Sequence, residues 1–296
     1  GRGGAQGKAA SSPPLQKAGE TKAEPVWNPS QRQAIESIQR VTVVKAGPGT
    51  GKTGTLAAHI LHLLETRRVK PSRITAVTFT NQAAGELRAR IQRQLGKGPA
   101  QKLQTGSFHA IAWKLLKDRG LSASLAGEME VRELAGRLRK EYGLKQTAAQ
   151  LLTQISNAKT SLDPAASGLD PAVLEAYQSS LREWGAMDFD DILLEALRTA
   201  QEENQDGGPF SYLLVDEFQD INPLQYQLIR AWNQGGRELF VIGDQDQAIY
   251  GFRGADAGCF QRLEEDFPQV CHIVLEENYR STPQILAAAS QVVSQN

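Results

Sequence analysis

Short apolar runs alternate with longer amphipathic stretches along most of the chain from residue 41 onward. The runs are rich in Val, Ile and Leu, which is typical of strands buried on both faces of a parallel sheet. They predict five strands, at residues 41–44, 74–77, 212–215, 239–242 and 272–275. Helical stretches follow most of these runs, for example at residues 56–64 and 83–95. Because strands and helices alternate, we predict an α/β fold in which helices cover both faces of a parallel sheet.

Two stretches depart from this alternation. Residues 120–186 are rich in Leu, Ala, Glu, Lys and Gln and contain no strand-like run. We interpret them as a helical insertion that lies outside the α/β domain in space. Residues 1–26 show no apolar periodicity and are full of Gly, Ala, Ser, Pro and Lys. This composition is typical of a disordered tail or linker.

The composition narrows the class of protein. No apolar run approaches the ~20 residues that a membrane-spanning helix needs, and the N-terminal residues lack the apolar segment of a secretory signal. The two cysteines, Cys259 and Cys271, do not resemble a disulfide framework, which favours a reducing compartment. We therefore expect a cytoplasmic protein without membrane contact.

The net charge of zero hides an asymmetry along the chain. Residues 1–200 carry 28 Lys and Arg against 18 Asp and Glu, whereas residues 201–296 carry 5 against 15. Uneven charge on a solvated surface explains this difference. A basic face for phosphates beside an acidic, metal-binding region explains it too, and charge alone does not decide between the two.

A glycine-rich segment follows the first predicted strand and opens a predicted helix, which is the context of a phosphate-binding loop. Small residues let backbone N–H groups surround phosphate oxygens, and the helix N-terminus adds its positive dipole end. Lys52 would reach the β- and γ-phosphates of ATP, and the Thr53 hydroxyl would coordinate Mg²⁺. The alternative is a glycine-rich turn without a ligand. The candidate loop consists of Ala46, Gly47, Pro48, Gly49, Thr50, Gly51, Lys52 and Thr53.

Two acidic residues follow the predicted strand at residues 212–215. Ligands of parallel sheets bind at the carboxyl ends of the strands, where Asp216 could hold Mg²⁺ and Glu217 could deprotonate the attacking water. An Asp-Glu pair by itself could equally be a solvated strand end. Together with the phosphate loop, this pair predicts ATP hydrolysis.

The segment at residues 216–220, DEFQD, resembles the D-E-x-Q-D box of the UvrD/Rep/PcrA-like group of superfamily 1A DNA helicases. Other segments resemble further boxes of this group, in the same order and spacing. They are a Q motif at 28–35, motif Ia at 78–84, a T-F-H-like box at 107–109, the return from the insertion at 187–193, motif III at 243–255 and the N-Y-R-S of motif IV at 278–281.

This resemblance implies a RecA-like P-loop domain with an inserted all-helical subdomain. Its boundaries would be 27–119 and 187–275 for the RecA-like domain, 120–186 for the insertion and 276–296 for the start of a truncated second RecA-like domain. Because the chain stops at Asn296, before the later motifs, we expect a fragment of a longer helicase that hydrolyses ATP very slowly by itself.

Roles in nucleotide binding follow from the resemblance, residue by residue. It implies that Gln31 recognises adenine, that Tyr279 stacks on the adenine ring, and that Gln247 and Arg280 contact the γ-phosphate. Without the resemblance, Gln31 would be interpreted as a capping or turn residue and the others as packing or surface residues. The implied catalytic residues are Lys52, Glu217, Gln247 and Arg280.

The resemblance also implies a path for single-stranded DNA, in which aromatic rings stack on bases of any sequence. Without the family, Phe79 and Phe252 would be ordinary core aromatics. Basic residues on the helix after motif Ia could follow phosphates, although a solvated helix face explains them nearly as well. The implied stacking residues are Phe79, His109, Tyr250 and Phe252, and the basic residues are Arg88, Arg90, Arg93 and Lys97.

Two positions depart from the group. Gly54 stands where an arginine commonly packs on adenine, and Phe252 stands where motif III usually has tryptophan, so we expect weaker nucleotide binding and a smaller stacking surface. His59 and His62 lie three residues apart on the helix after the phosphate loop. Because no Cys or acid cluster completes a metal site there, we interpret them as helix-surface residues.

These observations predict part of an ATP-dependent DNA helicase that uses ATP and Mg²⁺. The resemblance alone implies 3′-to-5′ movement along single-stranded DNA. The substrate would be a duplex with a single-stranded tail, and the missing second RecA-like domain would be a partner in the parent chain. The alternatives are a non-motor, nucleotide-dependent binding or regulatory module, and an unrelated P-loop ATPase or kinase. The DEFQD, motif III and N-Y-R-S segments argue against the last.

Overall fold

The computed structural model describes residues 25–203, 207–244 and 258–276. Its strands are β1 (Val41–Ala46), β2 (Ile74–Thr78), β3 (Gln104–Ser107), β4 (Ser124–Leu125), β5 (Ala186–Met187), β6 (Tyr212–Val215), β7 (Glu238–Gly243) and β8 (Cys271–Leu275). Six of them form one parallel sheet in the order β3-β2-β6-β7-β1-β8, and β4 pairs with β5 in a separate parallel pair. The predicted α/β fold with a parallel sheet is confirmed.

Helices connect these strands and cover the sheet. They are α1 (Pro29–Ile35), α2 (Lys52–Glu65), α3 (Asn81–Leu95), α4 (Lys97–Lys102), α5 (Phe108–Asp118), α6 (Glu128–Glu141), α7 (Ala148–Thr160), α8 (Pro171–Glu183), α9 (Phe189–Glu203), α10 (Pro223–Trp232) and α11 (Cys259–Asp266). Polar side chains cap several N-termini, because the first backbone N–H groups of a helix have no partner within it. Thr80 caps α3 in this way, and Asn222 caps α10.

The five predicted strands are all present, but the sheet contains a sixth. β3 has the sequence QTGS, and its lack of an apolar run explains why the sequence pattern did not reveal it. β3 and β8 are the two outermost strands of the described sheet. The expectation that β8 is fully buried is wrong, because Val274 is 65% exposed and only alternate residues of the strand face the core.

Two apolar clusters cover the two faces of the sheet. Val41 and Val43 of β1 belong to one cluster, with residues of α5, α9, α10 and α11, while Val44 and Ala46 belong to the other, with residues of α1 to α4. This division follows from the two-residue period of a strand, which directs successive side chains to opposite faces. The sheet is therefore covered on both sides, as predicted.

A third apolar cluster lies among α6, α7 and α8, within the stretch that the sequence analysis interpreted as a helical insertion. It includes Leu134, Leu138, Ile155 and Tyr177. The short strands β4 and β5 pair the two ends of this stretch, which the sequence pattern did not predict because neither strand has an apolar run. These helices thus have a core of their own.

The interpretation of His59 as a surface residue is wrong. Its side chain is completely buried on α2, where the ring stacks on Phe240 with centroids 4.2 Å apart. Nδ1 lies 2.7 Å from the carbonyl oxygen of Ile35, and Nε2 contacts a carboxylate oxygen of Glu238. Arg67 donates to the other oxygen of that carboxylate at 3.0 Å. His59 lies on the apolar stripe of α2 and is accommodated there because buried partners satisfy both ring nitrogens.

Candidate functional site

The glycine-rich loop joins β1 to α2 at the carboxyl edge of the sheet. Gly49 and Gly51 have φ angles of 74° and 75°, a left-handed conformation that glycine adopts without steric penalty. The Thr50 hydroxyl donates to the carbonyl oxygen of Gly47 at 2.7 Å and closes the turn. Among the described residues other than its chain neighbours, none has an atom within 4 Å of the position that a Cβ would take at Gly47 or Gly49. The backbone there can approach a ligand closely.

Two carboxylates face this loop from the end of β6. The Lys52 ammonium lies 2.6 Å from Oε1 of Glu217 and 4.0 Å from Oδ1 of Asp216. Burial raises the pKa of Asp216, while the positive charge of Lys52 opposes that shift. The site therefore combines one ammonium group with two carboxylates, and the ammonium belongs to the first residue of α2.

The backbone of Glu217 is strained. Its φ angle of 51° is left-handed, which is uncommon for a residue with a side chain. The amide N–H of Glu217 donates to Oδ1 of Asp216 at 2.8 Å, which links the two acids directly. This turn directs the Glu217 carboxylate toward Lys52 rather than along the strand.

Gln219 holds the Glu217 carboxylate from the other side, a role that the sequence analysis did not assign. Its side chain is 1% exposed, and its Nε2 donates to Oε2 of Glu217. Its Oε1 accepts from the backbone N–H of Asp244 at 2.8 Å, just beyond the end of β7. A Cβ at Gly243 would lie only 2.5 Å from that oxygen, so glycine is needed there. Gln219 therefore joins the ends of β6 and β7 beneath the site.

Gln31 acts as a helix cap in this structure. Its Oε1 accepts from the backbone N–H of Asn28 at 3.0 Å, which completes a capping box at the start of α1. Its Nε2 donates to the carbonyl oxygen of Thr50 at 2.9 Å, so the same amide also supports the glycine-rich loop. Each end of the amide retains one further hydrogen-bonding position, so adenine recognition by Gln31 stays a prediction.

An open groove of about 720 Å³ begins at the glycine-rich loop and runs along α2. Lys52 and Thr53 line one end, and Gly54 lies next to them. Trp27 and Arg90 line the groove as well, and the sequence analysis assigned neither of them to the nucleotide site. A volume of this size is typical of small-molecule sites.

The described part of the proposed DNA path consists of two rings. Phe79 is half-buried and packs edge-on against Phe108 at 6.0 Å, so it contributes to the core whether or not it also contacts DNA. His109 packs edge-on against Phe189 at 5.4 Å, and Phe189 is 57% exposed. Burial lowers the pKa of His109, which keeps the imidazole neutral near pH 7.

Other predicted site residues lie elsewhere or outside the described ranges. Arg88 donates to the carbonyl and hydroxyl oxygens of Thr105 and thereby braces α3 against β3.

The described ranges contain no group of three metal-ligating acids, histidines or cysteines, and no helix in them is long and apolar enough to cross a membrane. The predicted residues that fall outside the described ranges are Gln247, Tyr250, Phe252, Tyr279 and Arg280.

A second buried polar cluster joins α7 and α8 to the start of α9. The Lys159 ammonium, 3% exposed, lies 2.7 Å from Oδ2 of Asp188 and 2.9 Å from Oδ1 of Asp191. The Tyr177 hydroxyl donates to Oδ2 of Asp188 at 2.8 Å. Burial raises the pKa of the neighbouring Asp190 to about 6. This cluster coincides with the MDFDDIL segment, where the resemblance places the return from the insertion.

The chain is similar in sequence to a known protein family and to several known proteins. The family model of the UvrD/REP helicase N-terminal domain matches residues 27–268. The ATP-dependent DNA helicase PcrA of Leuconostoc citreum is 34% identical over 298 residues, which cover 91% of this chain and 39% of that protein. The ATP-dependent DNA helicase UvrD1 of Mycobacterium tuberculosis is 36% identical over 303 residues, with the same two shares.

A protein from a yeast is similar to the chain to nearly the same degree. The ATP-dependent DNA helicase srs2 of Schizosaccharomyces pombe is 32% identical over 307 residues, which cover 91% of this chain and 35% of that protein. The chain therefore spans less than half the length of these relatives.

Proposed function

The chain belongs to the UvrD/REP helicase N-terminal domain family, and on this premise we propose that it binds and hydrolyses ATP as the N-terminal portion of a DNA helicase. The observation that carries the proposal is the contact of Lys52 with Glu217 and Asp216 beside the glycine-rich loop. An ammonium group at a helix N-terminus attracts phosphates, and a carboxylate beside it can accept a proton from water. A cation that holds the phosphates and a group that positions the attacking water are recurring parts of enzymes that hydrolyse nucleoside triphosphates.

Lys52 changes partner when ATP binds in this proposal. Its ammonium is paired with Glu217 at 2.6 Å, and the β- and γ-phosphates take over that contact. Glu217 is then free to orient and deprotonate the attacking water, while Gln219 keeps its carboxylate in place. Gln247 and Arg280 are proposed to contact the γ-phosphate and stabilise the charge that develops on its oxygens.

The oxygen donors at this site fit Mg²⁺. Mg²⁺ is usually held by one or two protein oxygens together with phosphate oxygens and water. Asp216 supplies a buried carboxylate whose pKa is raised by burial, and Thr53 lines the groove next to Lys52. A bound Mg²⁺ would neutralise charge on the transferred phosphoryl group. We assign Asp216 and Thr53 to this cation.

The remaining parts of the proposal concern DNA and domain organisation. We propose that residues 27–119 and 187–275 form a RecA-like domain, that residues 120–186 form the inserted subdomain, and that residues 276–296 open a second RecA-like domain. Two such lobes closing on ATP would move 3′ to 5′ along single-stranded DNA and open a duplex that carries a single-stranded tail. A cytoplasmic location is proposed because the two cysteines of the sequence do not resemble a disulfide framework.

Replacement of Lys52 by alanine tests the nucleotide site. We expect Lys52→Ala to weaken binding of Mg²⁺–ATP about 10- to 100-fold, because it removes a charge-assisted contact with the phosphates. Isothermal titration calorimetry of both proteins measures the change. Lys102→Ala removes an exposed charge from α4 and is the matched control, expected to bind like the wild type. Equal affinity of Lys52→Ala and the wild type would contradict the assignment of the phosphate loop.

Single-stranded DNA binding tests the proposed path. Phe79→Leu keeps an apolar side chain for the core but removes the ring, so we expect affinity to fall about fivefold at every salt concentration. If Arg88 contacts a phosphate, Arg88→Gln should instead reduce the slope of log affinity against log salt concentration by about one, because one counterion fewer is released on binding. Fluorescence anisotropy with a labelled oligonucleotide across a salt series separates the two effects.

The control for these variants is Arg132→Gln, which removes an exposed charge from α6. We expect it to leave both the affinity and the salt dependence unchanged. If Phe79→Leu binds DNA as tightly as the wild type throughout the series, Phe79 is a core residue only and the path lies elsewhere.

A further inference from the structure

The groove extends well beyond the residues that would hold phosphates. From Lys52 it continues along α2, where the small residues Gly54, Ala57 and Ala58 line it. Arg90 of α3 lines it from another side, and Trp27, just before α1, lines it as well. A triphosphate fills only the loop end, so the rest of the groove is available to the nucleoside.

Gly54 leaves a space on which two large side chains converge. A Cβ at this position would lie 3.5 Å from Cη2 of Trp27 and 3.5 Å from Nη1 of Arg90. Such a Cβ would already be in van der Waals contact with both groups, so a larger side chain would occupy the space beside them. The glycine therefore keeps these two flat groups accessible from the groove.

The charge of this region suits a nucleotide. Among the described residues that line the groove, Lys52, Arg90 and Arg93 are basic and none is acidic. The indole of Trp27 is half-buried and offers a large aromatic surface beside these charges. Positive charge at the loop end and flat groups at the far end match the phosphates and the base of one molecule.

We propose that Trp27 and Arg90 form the base-binding end of the groove and hold the purine ring of a nucleoside triphosphate in the space that Gly54 leaves open. The indole stacks on the ring, and the planar guanidinium group packs against it as well. Position 54 is a glycine and has no side chain that could pack on the base. Trp27 and Arg90, which lie elsewhere in the sequence, supply that surface instead. This inference rests on the proposed nucleotide site and assigns the part of it that contacts the base.

Two probes separate the base from the phosphates. Mg²⁺–ATP occupies both ends of the groove, whereas inorganic tripolyphosphate with Mg²⁺ occupies only the loop end. For the 296-residue chain we expect Trp27→Ala to weaken ATP binding about 5- to 100-fold and to leave tripolyphosphate binding within about twofold of the wild type. Trp27→Phe retains an aromatic ring and should recover most of the ATP affinity. Titration calorimetry measures all of these values.

A conservative change at Arg90 tests the second group. Arg90→Lys keeps the positive charge and removes the planar surface, so we expect weaker binding of ATP with unchanged binding of tripolyphosphate. Trp184→Ala is the matched control, because it removes a partly exposed tryptophan that does not line the groove. We expect that variant to bind both probes like the wild type.

The outcomes distinguish this inference from the proposed function. If the wild type binds tripolyphosphate and Lys52→Ala loses it, the phosphate site is supported whatever happens at Trp27. In that case, equal ATP affinity of Trp27→Ala and the wild type overturns the inference, and so does an equal loss of both probes. A wild type that binds neither probe contradicts the proposed function, and this inference with it.

Discussion

Replacement of Glu217 by glutamine is expected to slow ATP hydrolysis about 100- to 10,000-fold, the usual contribution of a general base. The same change should tighten ATP binding several-fold. In the structure the Glu217 carboxylate holds the Lys52 ammonium at 2.6 Å and would repel the γ-phosphate, and a neutral amide does neither strongly. Gln219 can still contact the new side chain, so the local structure is kept.

Single-turnover measurements with excess protein give the rate of hydrolysis even where it is slow, and titration calorimetry gives the affinity. Glu202→Gln is the matched control, since this carboxylate is 62% exposed on α9. A hydrolysis rate of Glu217→Gln equal to that of the wild type would contradict the role of Glu217. If the wild type binds ATP but does not hydrolyse it at all, the non-motor binding module becomes the better interpretation.

Replacement of Lys159 by methionine is expected to destabilise the protein by about 3–5 kcal/mol, the usual loss when one partner of a buried ion pair is removed. Methionine preserves most of the side-chain volume but leaves Asp188 and Asp191 without their counter-ion. Asp190 lies next to them and already has a pKa raised to about 6 by burial. The variant therefore holds three neighbouring acids and no ammonium group among them.

The pH dependence of this loss has a definite sign. Burial raises the pKa of Asp188, and the Lys159 ammonium helps to bring it below its ordinary value. Without that ammonium the pKa values of Asp188 and Asp190 rise, so the folded state binds more protons than the unfolded state. Stability of the variant then falls as the pH rises, and we expect a larger deficit at pH 8 than at pH 5. Urea unfolding at the two pH values measures both deficits.

A surface ion-pair cluster provides the comparison. Arg198 is 55% exposed and contacts Glu195 and Glu202 on α9, so Arg198→Met should hardly change the urea midpoint. If Lys159→Met loses no more stability than Arg198→Met, the buried cluster does not hold α7 and α8 against α9 in the way that its geometry indicates.

Much of the sheet could be predicted because burial and local pattern coincide in it. Runs such as 41–44 and 239–242 are apolar because both faces of the sheet are covered, and this leaves a direct trace in the sequence. β3 leaves no such trace, because its sequence QTGS contains no apolar run and the strand is held by backbone pairing with β2. His59 was misinterpreted for a related reason, since its buried partner Glu238 lies 179 positions away.

The residues of the candidate site also include some that the sequence predicted and some that it did not. The glycine-rich loop and the Asp-Glu pair were predicted, because each is a short segment whose residue types and spacing reflect its own backbone conformation. The capping role of Gln31 was also among the interpretations that the sequence allowed. The positioning role of Gln219 was not predicted. Its side-chain oxygen accepts from the backbone N–H of Asp244, 25 positions away, and nothing in the local sequence indicates that partner.

The sequence by itself determined five of the strands and their alternation with helices, the family resemblance and the residue types at the phosphate end of the site. These properties depend on local periodicity and on short motifs, which a chain displays without being folded. Only the tertiary structure decided which side chains meet: Lys52 with Glu217 across 165 positions, and Lys159 with two acids. It also decided that Trp27 and Arg90 both lie beside Gly54. The reason is that a contact between distant residues depends on how strands and helices pack, and no local pattern encodes that distance.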